Sequence, residues 1–284
     1  MANHNNNYNK IQDGGKGKWK TLKHNGVLFP PEYKKHDVPV IYEGIHIILD
    51  IIPEEYATMY AKYIKTDYVN NSVFKRNFWK DWKKVLGKDH KIQNLESCNF
   101  ELRYEHIIKE KETKVALTPE DKEKKEAYES KFKTAIVDGK PQEVGNFRME
   151  PPSIFLGRGC NPMLGKVKAR IQPEDVTINI GKEETIPETI PGHKWGKIIH
   201  NHDAQWLAAW KDTINGKMKY LWLGDTSDLK AQSTKEKFDL ARKLKRKIKT
   251  IRAKNEIELK SKVLFMRQVA TALYFIDRFA LRVG

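Results

Sequence analysis

The chain has 284 residues, with 53 Lys and Arg against 37 Asp and Glu and a formal charge of +16. A surplus of that size points to a polyanionic partner, most often nucleic acid or an acidic membrane surface. Two cysteines, Cys98 and Cys160, without CxxC spacing, support neither a disulfide framework nor a cysteine zinc site. Seven Trp, eleven Phe and eleven Tyr argue against wholesale disorder, and the polar start MANHNNNYNK has no signal-peptide core. No apolar run is long enough to span a bilayer, so the expectation is a soluble protein of the cytosol or nucleus with no membrane partner.

Residues 1 to 17, rich in Asn, Gly and Lys, read as a disordered leader. From Lys18 to Tyr33 a short strand and a turn are expected, broken by Pro30 and Pro31, and VPVIYEGIHIILDI alternates as a hairpin around Glu43 and Gly44. After Pro53, Tyr56, Met59, Tyr60 and Tyr63 fall at helical spacing, with Glu54 and Glu55 at the positive end of the helix dipole. Such an aromatic stripe reads as core. SVFKRNFWKDWKKVLG reads as a second amphipathic helix, capped by Ser72 and ended by Gly87. From Glu105 to Lys133 charges of both signs alternate, as on a solvated helix or helix pair, and Thr118 before Pro119, Glu120 and Asp121 is a helix start.

Residues 145 to 225 differ: Gly and Pro punctuate short β-like runs such as VTINI (Val176 to Ile180) and KMKYLWLGD (Lys217 to Asp225). From Ser233, which forms a capping box with Glu236, the pattern is helical again. Phe238, Ala241, Leu244, Ile248 and Ile251 make an apolar stripe, and a second helix from about Glu258 is expected to pack on it with the basic face outward. Between Lys230 and Lys254 eleven basic residues stand against two acidic ones. Ordinary solvated faces mix signs, so this one reads as a nucleic-acid contact, and RKLKRKIK (Arg242 to Lys249) also fits a nuclear import signal.

Other constellations are weaker. His200 and His202 lack a third metal ligand at convincing spacing. FLGRGCNPMLG (Phe155 to Gly165) has no GxxxxGK[ST] pattern and reads as a loop presenting Arg158. Scattered Ser, His and Asp make no triad. Arg282, near the end of an apolar helix, would on these grounds alone be a dipole-compensating cap.

Four blocks in order, EPPSIFLGRGCNPMLGKVKARIQPEDVTINI (Glu150 to Ile180), PGHKWGKIIHN (Pro191 to Asn201), KYLWL (Lys219 to Leu223) and ALYFIDRFALRVG (Ala272 to Gly284), closely resemble the core of eukaryotic type IB DNA topoisomerases. The resemblance runs from about Lys18 to the end. It implies a two-lobed clamp around duplex DNA, a tyrosine that attacks a backbone phosphate, a 3′-phosphotyrosyl intermediate, strand rotation and religation, with no ATP, metal or other cofactor. Charge developing on the phosphate calls for arginine, lysine and histidine donors, and the planar fork of arginine suits it well. By resemblance Arg282 is the first phosphate-clamping, catalytic arginine. Arg158 reaches DNA from the lip of the clamp, Lys219 and Tyr220 are a DNA-contacting pair, Trp206 and Lys237 are further contacts, and Lys114 is another. Where family members often have RGRG, this chain has Leu156 before Gly157.

The family continues past the first arginine to a catalytic lysine, a second arginine, a histidine and the nucleophilic tyrosine. These 284 residues contain none of that, and the eleven tyrosines all precede Arg282. The expected fold class is α+β: a mixed cap lobe of short strands and helices, followed by the first helices of a catalytic lobe. Its parts are 18–113 (β-rich, then helical from about 27), 114–227 (mixed) and 228–284 (helical), with residues near 9 to 26 pairing with 114 to 227. The expected function is that of the DNA-binding core of a nuclear type IB topoisomerase whose partners are duplex DNA and a separate or missing C-terminal segment carrying the tyrosine. Alone it is expected to bind duplex DNA without turnover. The alternative is a non-catalytic duplex-binding module that acts in its own right; an RNA-binding protein of the translation machinery fits the composition but not the four blocks.

Overall fold

The computed structural model describes residues 17–113 and 118–281. Two compact units divide the chain, Met1–Ser227 and Asp228–Gly284. Helices and short, mostly antiparallel strands together make the fold α+β, as expected.

In chain order the first unit begins with β1 (Leu22–Lys23), β2 (Val40–Tyr42), β3 (Ile45–Ile47), α1 (Ile51–Ala61), α2 (Ser72–Leu86), β4 (Cys98–Asn99), α3 (Glu101–Thr113) and α4 (Pro119–Ser130). It continues with β5 (Thr134–Val137), β6 (Lys140–Glu143), β7 (Ser153–Ile154), β8 (Val167–Lys168), β9 (Thr177–Asn179), β10 (Lys197–Ile199), β11 (Trp206–Lys211) and β12 (Met218–Trp222). The second unit holds α5 (Asp228–Glu258) and α6 (Leu264–Phe279). The sheets run β3-β2-β4, β1-β5-β6, β7-β8 and β10-β9-β11-β12.

The expected hairpin forms: β2 pairs antiparallel with β3 across Glu43 (φ 49°) and Gly44 (φ 83°), left-handed conformations that suit a two-residue turn. Helix α1 starts two residues before Pro53, because proline is tolerated in a first turn where its N–H would have no partner. Its stripe is core, with Tyr56, Met59 and Tyr60 buried against Phe74, Phe78 and Trp82 of α2. The cap of α2 is Asn71 rather than Ser72: the Asn71 side chain accepts hydrogen bonds from the backbone N–H of Val73 and Phe74. Gly87 (φ 89°) ends the helix. Thr118 caps α4 by accepting from the Asp121 N–H, and no residue of α4 is buried.

Glu54 stands in the first turn of α1, as expected, and is fully buried. Its carboxylate accepts from the Tyr33 hydroxyl (3.0 Å) and from the backbone N–H of His36 (2.8 Å) and Asp37 (3.1 Å), and it faces buried Arg103 of α3 at 3.9 Å. Arg170 performs a similar task next door, pairing with Glu55 at 2.8 Å while donating to the Pro31 carbonyl. Removing one partner of a buried pair of this kind costs about 3–5 kcal/mol, because the other charge is left uncompensated.

The strand-rich part closes around the start of the described chain. Leu22 and Lys23 pair with Val137 and Ile136, the Trp19 indole N–H donates to the Ala204 carbonyl (2.7 Å), and the Trp19 ring lies against His202. His24 is buried between these layers: its Nδ1 accepts from the Gly26 N–H and its Nε2 lies 2.9 Å from the Asn179 carbonyl. That arrangement uses the neutral ring with the proton on Nε2.

In the second unit, α5 starts at Asp228, so Ser233 lies inside the helix and does not cap it, and the second helix starts at Leu264, later than expected. The two helices pack, and Arg252 holds Asp277 through two bonds of 2.7 and 2.9 Å. The stripe on α5 nevertheless stays exposed, Phe238 by 61% and Leu244 by 52%. Lengths explain this: 31 residues make about 46 Å of helix and 16 make about 24 Å, so α6 can cover only about half of α5.

Burial drives the His24 pKa down from 6.5 to about 4 against the opposing pull of its bond to Asn179. The unfolded chain therefore takes up a proton between pH 6.5 and 4 that the folded chain refuses. Stability present above pH 6.5 is expected to fall by on the order of 3 kcal/mol across that window. Urea unfolding as a function of pH measures it, and His24→Gln should flatten the slope.

Candidate nucleic-acid interface

The glycine-containing loop between β7 and β8 is built on helix α2. Gly165 (φ 86°) lies so close to α2 that a Cβ there would sit 2.2 Å from the Phe74 carbonyl oxygen, so only glycine fits. Asn77 of α2 donates to the carbonyls of Pro162 (2.8 Å) and Leu164 (2.7 Å), and Asp81 accepts from the Val167 N–H (3.2 Å). With its base held in this way, the loop turns through Gly157 (φ 65°) and Gly159 (φ 58°) and leaves Arg158 exposed between them. Arg158 makes no ion pair among the described residues. Leu156, at the position where family members often carry a basic residue, packs on the core around α1 and α2.

A second group gathers on one face of β12. Lys219 bridges Glu150 and Asp212, each at 2.7 Å, and Lys168 of β8 shares the same Glu150 oxygen. Burial, followed by the neighbouring Lys219 ammonium, brings the Lys168 pKa down to about 8. Burial alone would raise the Asp212 carboxyl, but hydrogen bonds from Lys219 and from the backbone N–H of Asn215 and Ile214 outweigh it and hold the carboxyl below its usual range.

Lys219 and Tyr220 are consecutive in a strand, so they point to opposite faces. Tyr220 is 40% exposed and lies beside Trp206, with ring centroids 5.7 Å apart. A bulge between Trp206 and Ala208 puts Trp206 opposite Trp222 in register and so on the Tyr220 side. The two members of the expected pair therefore serve different surfaces: Lys219 a balanced network of two lysines and two carboxylates, Tyr220 an aromatic row.

In the second unit Lys237 is exposed on α5. Of the basic residues on this helix, Arg242 pairs with Asp239, Arg252 with Asp277 and Lys254 with Glu258. Lys243, Lys245, Arg246, Lys247 and Lys249 make no ion pair among the described residues. Arg282 and Lys114 lie outside the described residues.

Two residues of these surfaces were missed. Strand alternation in KMKYLW could have found Trp222, whereas Lys168 joins Lys219 only through a shared carboxylate remote in sequence. His200 and His202 direct Nδ1 to the backbone carbonyls of Ile180 (2.7 Å) and Trp19 (3.0 Å), so each has a structural partner. Among the described residues no group of three or more His, Cys, Asp or Glu could hold a metal ion, and no helix is long and apolar enough to cross a membrane.

An exposed arginine loop and an unbalanced basic helix are what a protein that handles a polyanionic backbone presents. The family models for the DNA binding fragment and the catalytic core of eukaryotic DNA topoisomerase I match residues 17–223 and 226–284, and the chain belongs to that family. It is 48% identical over 276 residues to DNA topoisomerase 1 beta of Arabidopsis thaliana, an alignment covering 95% of this chain and 30% of the relative. DNA topoisomerase 1 of Candidozyma auris is 42% identical, with 95% and 37% covered, and human DNA topoisomerase I, mitochondrial, is 36% identical, with 97% and 47% covered. The chain thus spans about a third of the length of the first of these relatives.

Two outcomes are expected. Gly165→Ala should destabilise the chain by about 2 kcal/mol or more, read as a lowered thermal midpoint, since backbone rather than a flexible side chain occupies the Cβ position. Because Lys168 is charged below about pH 8 and neutral above it, duplex affinity should decline a few-fold more between pH 7 and 9 in the parent than in Lys168→Met, as read by fluorescence anisotropy.

Proposed function

We propose that the complete protein relaxes DNA supercoils by transient single-strand cleavage and religation through a 3′-phosphotyrosyl intermediate, without ATP, and that this chain supplies its duplex-gripping portion. The observation that carries this reading is the family match over both the DNA binding fragment and the catalytic core. In this reading Arg158, Trp206, Lys219, Tyr220, Lys237 and Lys114 contact DNA, and Arg282 stabilises charge on the phosphate undergoing exchange. Residues 18–113 and 114–227 form the cap and 228–284 begin the catalytic lobe.

We further propose that the chain alone binds duplex DNA without turning over. Burial pushes the hydroxyls of Tyr56 and Tyr60 up to about 12 and raises that of Tyr33, the opposite of what an activated nucleophile needs. The exposed apolar stripe of α5 is a surface on which a further segment carrying the tyrosine would pack. The basic run Arg242 to Lys249 favours a nuclear location, to be tested against a mitochondrial one by imaging the tagged full-length protein.

Relaxation of a supercoiled plasmid without ATP or metal tests this, first with the chain alone and then with the C-terminal segment of a close relative added, duplex binding serving as the folding control. The expected result is binding throughout and relaxation only after the addition. Relaxation by the chain alone would move the nucleophile to one of its own tyrosines, and binding with no relaxation in either arm would favour a non-catalytic module.

A further inference from the structure

The sheet β10-β9-β11-β12 has an aromatic face of which the duplex-gripping reading uses only Trp206 and Tyr220. Tyr220 and Trp222 are 40% and 43% exposed, and Met218 on the same side is 48% exposed, at alternate positions of an edge strand. Their rings are tilted and not stacked on one another: Trp206 to Tyr220 at 5.7 Å and 50°, Tyr220 to Trp222 at 5.5 Å and 49°. Neither Tyr220 nor Trp222 is covered by a stacked neighbour within this row, and both stay partly exposed.

Charge on this face has one sign. Lys211 is opposite Met218 in register, and Lys197 is opposite Thr177, which is itself opposite Ala209, the partner of Tyr220. Register partners share a face, so both lysines stand on the aromatic side. Both are exposed and neither makes an ion pair among the described residues. Strands β9 to β12 contain no Asp or Glu. The far end of β12 is closed to an added strand, because the Gly145 N–H donates to the Trp222 carbonyl and the Gly224 N–H to Glu143.

We propose that this face is a binding platform for single-stranded nucleic acid, with Trp222 and Tyr220 stacking on unpaired bases and Lys197 and Lys211 following the phosphates. Bases inside a duplex have their flat faces covered by neighbouring pairs, so an aromatic row gains stacking energy only from bases outside a helix. Lysines beside exposed rings on an open sheet supply the two ingredients of sequence-tolerant single-strand binding. This goes beyond the duplex reading, with which it shares Tyr220, and comparing single strand with duplex separates the two.

The test uses the 284-residue chain, a labelled oligothymidylate of about ten nucleotides, in the range of known single-strand sites, and a duplex of the same length, with anisotropy at several salt concentrations. Trp222→Ala is expected to weaken single-strand binding about tenfold while leaving duplex binding within about twofold, in line with the loss of one stacked base. Trp222→Phe should restore most of the loss, which a general failure of folding would not allow. The double variant Lys197→Gln, Lys211→Gln should lower the salt slope for the single strand by about 1.4, at about 0.7 per phosphate contact. Equal losses on both substrates, no loss on either, or no binding of the oligothymidylate by the parent chain would each overturn the proposal.

Discussion

The first unit depends on a single close approach. Gly165 meets the backbone of α2 where no side chain could stand, and Asn77 and Asp81 of the same helix receive the chain on either side of it. Through this contact the aromatic core of α1 and α2 becomes the foundation for a loop whose own residues bury little. A loop fixed at its base can hold a charged side chain outward without a partner of its own. Arg158 thus gains its position from packing two elements away.

Buried charge does a related job nearby. The segment from Tyr33 to Asp37 has no regular structure and needs acceptors for its N–H groups, which Glu54 provides from inside α1. Burying a carboxylate is costly unless it is matched, and Arg103 and the Tyr33 hydroxyl match it. Arg170 does the converse for the Pro30 and Pro31 segment, donating to carbonyls while Glu55 offsets its charge. Pairs of this sort specify one chain path more than they add stability.

Legibility in the sequence followed locality. Gly87 and Thr118 act within a turn of themselves, as does the Glu43 and Gly44 hairpin, and each was readable from neighbours alone. Asn71 displaced Ser72 as a cap because either residue type can accept the bond and the register of one residue is decided by where Phe74 must be buried. Ser233 looked like a cap because its own side chain and Glu236 suit one, but the helix had already begun at Asp228. At the surface, family resemblance paired Lys219 with Tyr220, while alternation sends them to opposite faces. The Lys168, Glu150, Asp212 and Lys219 cluster unites residues up to 69 apart, and no periodicity reports that.

The same non-locality bears on how the chain is made. Trp19 donates to Ala204 across 185 positions, and Thr21 meets Asp138 across 117. At synthesis rates of about 5–20 residues per second, the partner of Trp19 emerges roughly ten to forty seconds later. During that interval α1 and α2 already have most of their aromatic contacts, while Trp19 and Leu22 stand waiting. The earliest residues of the described fold are thus among the last to be enclosed, and anything that shields a nascent apolar segment during translation acts on them first.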